Sequence, residues 1–80
     1  MKLKILGTGC PKCKKLYAEA EQAIATSGLA AELEKVEKID DIMAYGVMMT
    51  PALVIDDKVV FSGRVASAKD IVALMRARQG

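Results

Sequence analysis

Histidine and tryptophan are absent from this 80-residue chain, the aromatics are limited to Phe61, Tyr17 and Tyr45, and cysteine occurs only at positions 10 and 13. Each shortage excludes something. A structural zinc site needs four nitrogen or sulfur ligands, and two cysteines without histidine cannot supply them from one chain. With so few rings, the aliphatic residues and the five methionines are expected to fill one soft core. A strong charge excess is also missing: 12 Lys and Arg stand against 10 Asp and Glu, with both signs interspersed, so no electrostatic footprint for nucleic acid or an anionic membrane is present. Long apolar runs are lacking too. The stretch from Ala44 to Ile55 is broken by Gly46 and Pro51 and falls short of the ~20 residues of a membrane span. The run after Met1-Lys2 is too short for a secretion signal, so a soluble, cytoplasmic protein is expected. The length predicts a single domain over residues 1–80.

What is present is organised around Cys10-Pro11-Lys12-Cys13. Lys2 to Leu6 alternates polar and apolar, with Leu3 and Ile5 on one face, and Gly7-Thr8-Gly9 ends it: a first strand and its loop. From Pro11 the period turns helical, with Cys13, Leu16, Tyr17, Ala20, Ile24 and Ser27 on one stripe, and Gly28 is a natural stop. Leu29 to Glu37 fits a charged edge strand whose alternation slips at Lys35-Val36. Ile39 to Tyr45 reads as a short helix capped near Asp40, with Ile39, Ile42 and Met43 on its inner side and Gly46 at its end. Pro51 opens the strand Ala52–Ile55, Asp56-Asp57 turns the chain into Lys58–Phe61, and the two form an antiparallel hairpin. After Ser62-Gly63-Arg64, Ser67 caps a last helix with Ile71, Val72, Leu74 and Met75 inward. The order is β-α-β-α-β-β-α.

In a reducing compartment a cysteine pair is more often catalytic or metal-binding than structural. A dithiol catalyst needs one exposed thiol that ionises near neutral pH and a second that resolves the mixed disulfide from inside. Cys10 lies at the helix tip, where unpaired N–H groups, the macrodipole and Lys12, Lys14 and Lys15 favour an anion, so its pKa is expected below the free-thiol value. Cys13 begins the inward stripe. Pro11 and Lys12 between them tune the potential. Thr50-Pro51, directly before the hairpin, predicts a cis peptide bond that sets Thr50 backbone groups opposite Cys10, ready to pair with an extended substrate. Val47, Met48 and Met49 before it are read first as core filling and second as an apolar rim beside the thiols. Asp40-Asp41 and Asp56-Asp57 are a cap and a turn rather than metal ligands.

Together, the opening strand, Cys10-Pro11-Lys12-Cys13 at a helix start, Thr50-Pro51 before a hairpin and a closing helix resemble the thioredoxin fold in its short, glutaredoxin-like form. Gly9 to Lys15, with Tyr45-Gly46-Val47-Met48 and Thr50 to Asp56, is similar to the small prokaryotic redox-active disulfide proteins of that fold. The resemblance implies an α/β domain with a four-stranded mixed sheet and three helices. The first and last helices share one face, and the short helix covers the other. It also assigns the nucleophile to Cys10, the resolving thiol to Cys13 and the cis-proline to Pro51, with Thr50 and Met49 beside the substrate. No cofactor is implied. The implied partners are a protein or small-molecule disulfide and a dedicated reductase, for a monomer. The chain departs from its larger relatives in having no acid on the first strand, so proton transfer at Cys13 needs water, a lysine or a backbone group. Gly7 and Ser62-Gly63-Arg64 replace the glutathione-holding segments of glutaredoxins, so glutathione use is not implied.

Two other classes fit the pair. A soft-metal module would hold copper(I) or an arsenical between both sulfurs without turnover. An adaptor would bind a protein through Val47 to Thr50, with redox chemistry incidental.

Overall fold

Alternation in the first strand, β1 (Lys2–Leu6), divides the molecule: Leu3 and Ile5 go to one face of a sheet, and Lys2, Lys4 and Leu6 go to the other. The computed structural model describes residues 1–79. Following β1 are α1 (Pro11–Ser27), β2 (Glu32–Val36), α2 (Ile39–Ala44), β3 (Ala52–Ile55), β4 (Lys58–Ser62) and α3 (Ala68–Gln79). The sheet order is β2-β1-β3-β4, with β1 parallel to β2 and antiparallel to β3, and β3 antiparallel to β4. This is the four-stranded mixed sheet with three helices that the thioredoxin-like reading requires.

Because β1 and β3 are central, β3 is buried along its whole length and reads as a continuous apolar run rather than an alternating one. Leu53 and Ile55 join Leu3 and Ile5 beneath α1 and α3, packed against Leu16, Ala20, Ala23, Ile71 and Met75. Ala52 and Val54 face the other way, with Leu6, Val36 and Ile42. Ala23 joins the α1 stripe beyond the residues read from the period, and Ile24 and Tyr17 are only half-buried at its margin. The slip in β2 is a change of face: Leu33 packs on the α1 side and Val36 on the α2 side.

Local chemistry explains the element ends. Gly28 stops α1 with a left-handed φ of 72°, a conformation that costs a residue with a Cβ. Asp56 and Asp57 both take positive φ, 49° and 67°, as a two-residue hairpin turn whose twist matches its strands demands. The turn is tied to β1: Asp56 Oδ1 accepts from the Lys2 amide at 2.8 Å, and the Asp56 amide donates to the Lys2 carbonyl at 2.9 Å. One residue, Val60, is extra on β4, so the register shifts between Leu53 and Val54. Ser67 Oγ accepts from the Asp70 amide at 3.2 Å and caps α3 as expected.

Three expectations are corrected. The N-cap of α2 is Lys38, with no side-chain cap bond, while Asp40 and Asp41 lie in its first turn, where negative charge suits the helix dipole. Of the inward trio predicted for α2 only Ile42 is buried; Ile39 and Met43 are 63% and 65% exposed, because six residues make too short a helix to present a wide stripe. Nor do the methionines fill the core. Met75 does, but Met48 and Met49 are 97% and 64% exposed, and Val47 alone of that loop packs inward.

Candidate active site

The site lies where β1 runs out into α1. Gly7 extends the parallel ladder by one bond, its amide donating to the Val36 carbonyl at 3.0 Å, and there the chain passes directly under the first turn of α1. A Cβ on Gly7 would overlap Cys13 Sγ, so only glycine permits this approach. Gly9, at a φ of +92°, turns the backbone into the helix. Cys10 is the N-cap: its backbone is extended, its carbonyl accepts from the Lys14 amide at 3.0 Å, and its Sγ accepts from the Cys13 amide at 3.2 Å. Pro11 follows in the first turn, where a missing N–H leaves nothing unpaired.

Cys10 and Cys13 are joined by a disulfide, with Cα atoms 5.0 Å apart, inside the ordinary range for a bridge. They differ in access: Cys10 is half-exposed, whereas Cys13 is 5% exposed and faces the core. No acid lies in the first turn of α1 to offset the dipole at Cys10. The exposed lysines fan out on two sides. Lys12 and Lys15 line a groove toward Val65, Ala66 and Ser67 before α3, and Lys14 turns toward the end of β2.

Across from the pair, the Thr50–Pro51 bond is cis, as the sequence predicted. Pro51 is buried and its carbonyl accepts from the Gly63 amide at 2.8 Å. Thr50 is exposed, and its Cβ comes within 3.9 Å of where a Gly7 Cβ would stand, beside Cys13. Among the described residues its N–H and C=O make no bond to other backbone groups. Met49 lies over Gly63, its side chain 3.1–3.4 Å from the position of a Cβ there, and Met48 projects into solvent. The structure thus sets Thr50 beside Cys13, which is bonded to Cys10, while Pro51 is buried and Met49 lies over Gly63; Pro11 and Lys12 are exposed at the helix tip.

Two features were not read from the sequence. One is the contact between Gly7 and Cys13. The other is a cleft of about 70 Å³ on the inner side of Cys13, closed on one wall by Lys35 stacked 4.6 Å over the Tyr17 ring and bordered by Lys14 and Glu37. Glu37 looked like the tail of a charged strand, and nothing local marks it, since apart from Lys35 its neighbours in the cleft lie twenty or more residues away in the chain. Among the described residues no three His, Cys, Asp or Glu side chains group as a metal site, and no helix is long and apolar enough to cross a membrane.

Comparison with known proteins agrees with this geometry. A thioredoxin-domain family model matches residues 1–76. A thioredoxin of Methanothermobacter thermautotrophicus is 37% identical over 75 residues, covering 94% of this chain and 97% of that protein. One from Methanocaldococcus jannaschii is 38% identical over 69 residues, covering 86% and 79%. Nearly end-to-end similarity to proteins of that name, with the paired cysteines already bridged at a helix tip, leaves one family: the chain belongs to the thioredoxins and is a dithiol–disulfide oxidoreductase.

Proposed function

We propose that Cys10 is the attacking nucleophile and Cys13 the resolving thiol, in a cycle that reduces or exchanges disulfides of proteins or small molecules. Cys10 Sγ attacks a substrate disulfide and a mixed disulfide forms. Cys13 then displaces the second product and leaves the Cys10–Cys13 bond behind. The observation that carries this assignment is the asymmetry of the pair: Cys10 is accessible, with its Sγ on an amide N–H at the positive end of α1, while Cys13 is buried. Pro11 fixes the first turn, and Lys12 adds positive charge without bulk. Thr50 offers unpaired backbone groups to an extended substrate, and Met49, held by Gly63, gives that substrate an apolar wall. A reductase dedicated to this protein re-reduces it. Residues 1–80 work as one monomeric domain in the cytoplasm, where thiol-based reductants are available.

Two measurements test the reading. Alkylation of the reduced protein against pH is expected to modify Cys10 first, with a midpoint below the ~8.5 of a free thiol. Faster modification of Cys13 would reverse the roles. Titration in graded thiol–disulfide buffers is expected to give one reversible two-electron transition between about −300 and −180 mV. A pair that binds copper(I) stoichiometrically and will not oxidise would place the protein among soft-metal modules instead.

A further inference from the structure

When the pair is reduced, Cys13 is a buried thiol, and it must lose its proton before it can attack. The chain has no histidine to take that proton, and β1, directly beneath, has the sequence KLKIL, without a carboxylate. Cys13 nevertheless lines a cleft to which charged side chains also contribute. On its borders Lys14 and Lys35 are cations and Tyr17 is a phenol, none of them a proton acceptor at neutral pH. Glu37, at the junction of β2 and α2, is the remaining charged group on that cleft, and its carboxylate Oε2 lies 3.6 Å from where a Cβ of Gly9 would be. Two glycines keep the passage clear, Gly7 on the Cys13 side and Gly9 on the Glu37 side. At about 70 Å³ the cleft has room for more than one water, since each needs roughly 10–15 Å³ of space for its centre.

We propose that Glu37 accepts the Cys13 proton through water held in this cleft, and so acts as the positioning base of the resolving step. The inference rests on Cys13 being the resolving thiol. The Cys13 proton passes by way of the water to the Glu37 carboxylate, and the resulting thiolate attacks Cys10 Sγ in the mixed disulfide. The bond between Cys10 and the substrate sulfur breaks as the Cys10–Cys13 bond forms. The departing sulfur leaves as a thiolate and takes a proton from solvent; the dithiol has lost two electrons and the substrate has gained them. Lys14 and Lys35 face the same cleft and stabilise the thiolate while it exists, and β1 contributes only Ile5 there and the loop after it only Gly7 and Gly9, without charge.

Rapid mixing of the reduced protein with dithiobis(nitrobenzoate) separates the steps. The first coloured thiol marks attack by Cys10, and the second, released without a further collision, marks resolution. Cys13→Ser is expected to release one equivalent at the wild-type first-phase rate, and Cys10→Ser to release its one equivalent far more slowly; if Cys10→Ser reacts at the wild-type first-phase rate and Cys13→Ser slowly, the assignment of Cys13 as the resolving thiol fails, whatever Glu37 does. In Glu37→Gln the first phase is expected to keep its rate and the second to slow roughly ten- to a hundredfold near pH 7. The pH profile discriminates further. With Glu37 present the second phase is expected to be nearly flat between about pH 6 and 8, and in Glu37→Gln to climb close to tenfold per unit as hydroxide takes over. Glu37→Asp is expected to recover part of the rate, and Glu34→Gln, on the opposite face of the sheet, to behave as wild type. A Glu37→Gln variant with the wild-type second phase and profile would overturn the proposal.

Discussion

The two faces of the sheet are built to different standards. Beneath α1 and α3, Leu3, Ile5, Leu53 and Ile55 meet Leu16, Ile71 and Met75, every one of them 3% exposed or less. Beneath α2 the layer is thin: Ile42 is the helix's one buried residue, and beyond its reach the same strands carry charge. Lys4 there donates to Tyr45 Oη at 2.7 Å and lies 3.7 Å from Asp57, and Lys2 pairs with Glu34 at 3.0 Å. Stability is concentrated on the thick face. The dithiol stands at the end of the sheet where both faces finish, so chemistry there is supported by one face and left accessible by the other.

The largest effect that sharpens this contrast is a truncation on each side. Leu16→Ala is expected to cost about 4–5 kcal/mol, the upper end for a leucine that leaves an enclosed cavity, and Ile42→Ala about 2 kcal/mol, because a short exposed helix can settle into the space. Denaturant unfolding of both variants checks the order, and equal losses would show that the thin layer is as tightly packed as the thick one. Next comes Gly7→Ala. Its Cβ would overlap Cys13 Sγ, so a loss of about 1–3 kcal/mol is expected, as for overpacking, together with slower resolution by the displaced Cys13. A variant with wild-type unfolding and turnover would mean that α1 shifts freely over β1.

The smallest effect concerns pH and belongs to the thin face alone. The hydrogen bond to Tyr45, then the charges of Tyr45, Asp57 and Glu34, raise the Lys4 pKa above its ordinary 10.5 against some desolvation. That contribution to stability is complete below 10.5 and is lost as pH rises through the raised folded value. Glu34 is the mirror case: the bond and charge of Lys2 lower it from 4.5, so its contribution is present above 4.5 and lost as pH falls through the lowered value. Neither side chain is fully buried, Glu34 being 48% exposed and Lys4 19%, and both effects are expected to be slight. Tyr45→Phe is expected to flatten the alkaline limb of a plot of stability against pH and to leave the acid limb alone. A change on the acid limb would break the separation.

Much of the architecture was legible because it is local. Alternation gave β1, Pro11 and Gly28 bracketed α1, paired aspartates gave the turn, and Thr50-Pro51 before an apolar run gave the loop opposite the thiols. The failures share a cause as well. Hydrophobicity predicts burial only where a partner surface exists, and nothing in Met48 or Met49 says that the loop carrying them stands clear of the core. Ile39 and Met43 were assigned inward by period, but six residues of helix cover too little sheet to bury them. Val60 escaped because a bulge is a property of two strands, not one. Glu37 and Cys13 come to line one cleft by tertiary folding alone, so no spacing could reveal it.

The place of β1 in the sheet has a consequence for synthesis. It leaves the ribosome before the other strands yet occupies an interior position, and its second edge is completed only by β3, about fifty residues later. Pairings so distant in sequence are slow to close and leave backbone groups open meanwhile. The clamp between Asp56 and Lys2 is therefore a late-arriving fastener. Until the hairpin has emerged, the cysteine-bearing helix rests on half a sheet, and an early Cys10–Cys13 bond would form on a scaffold not yet finished.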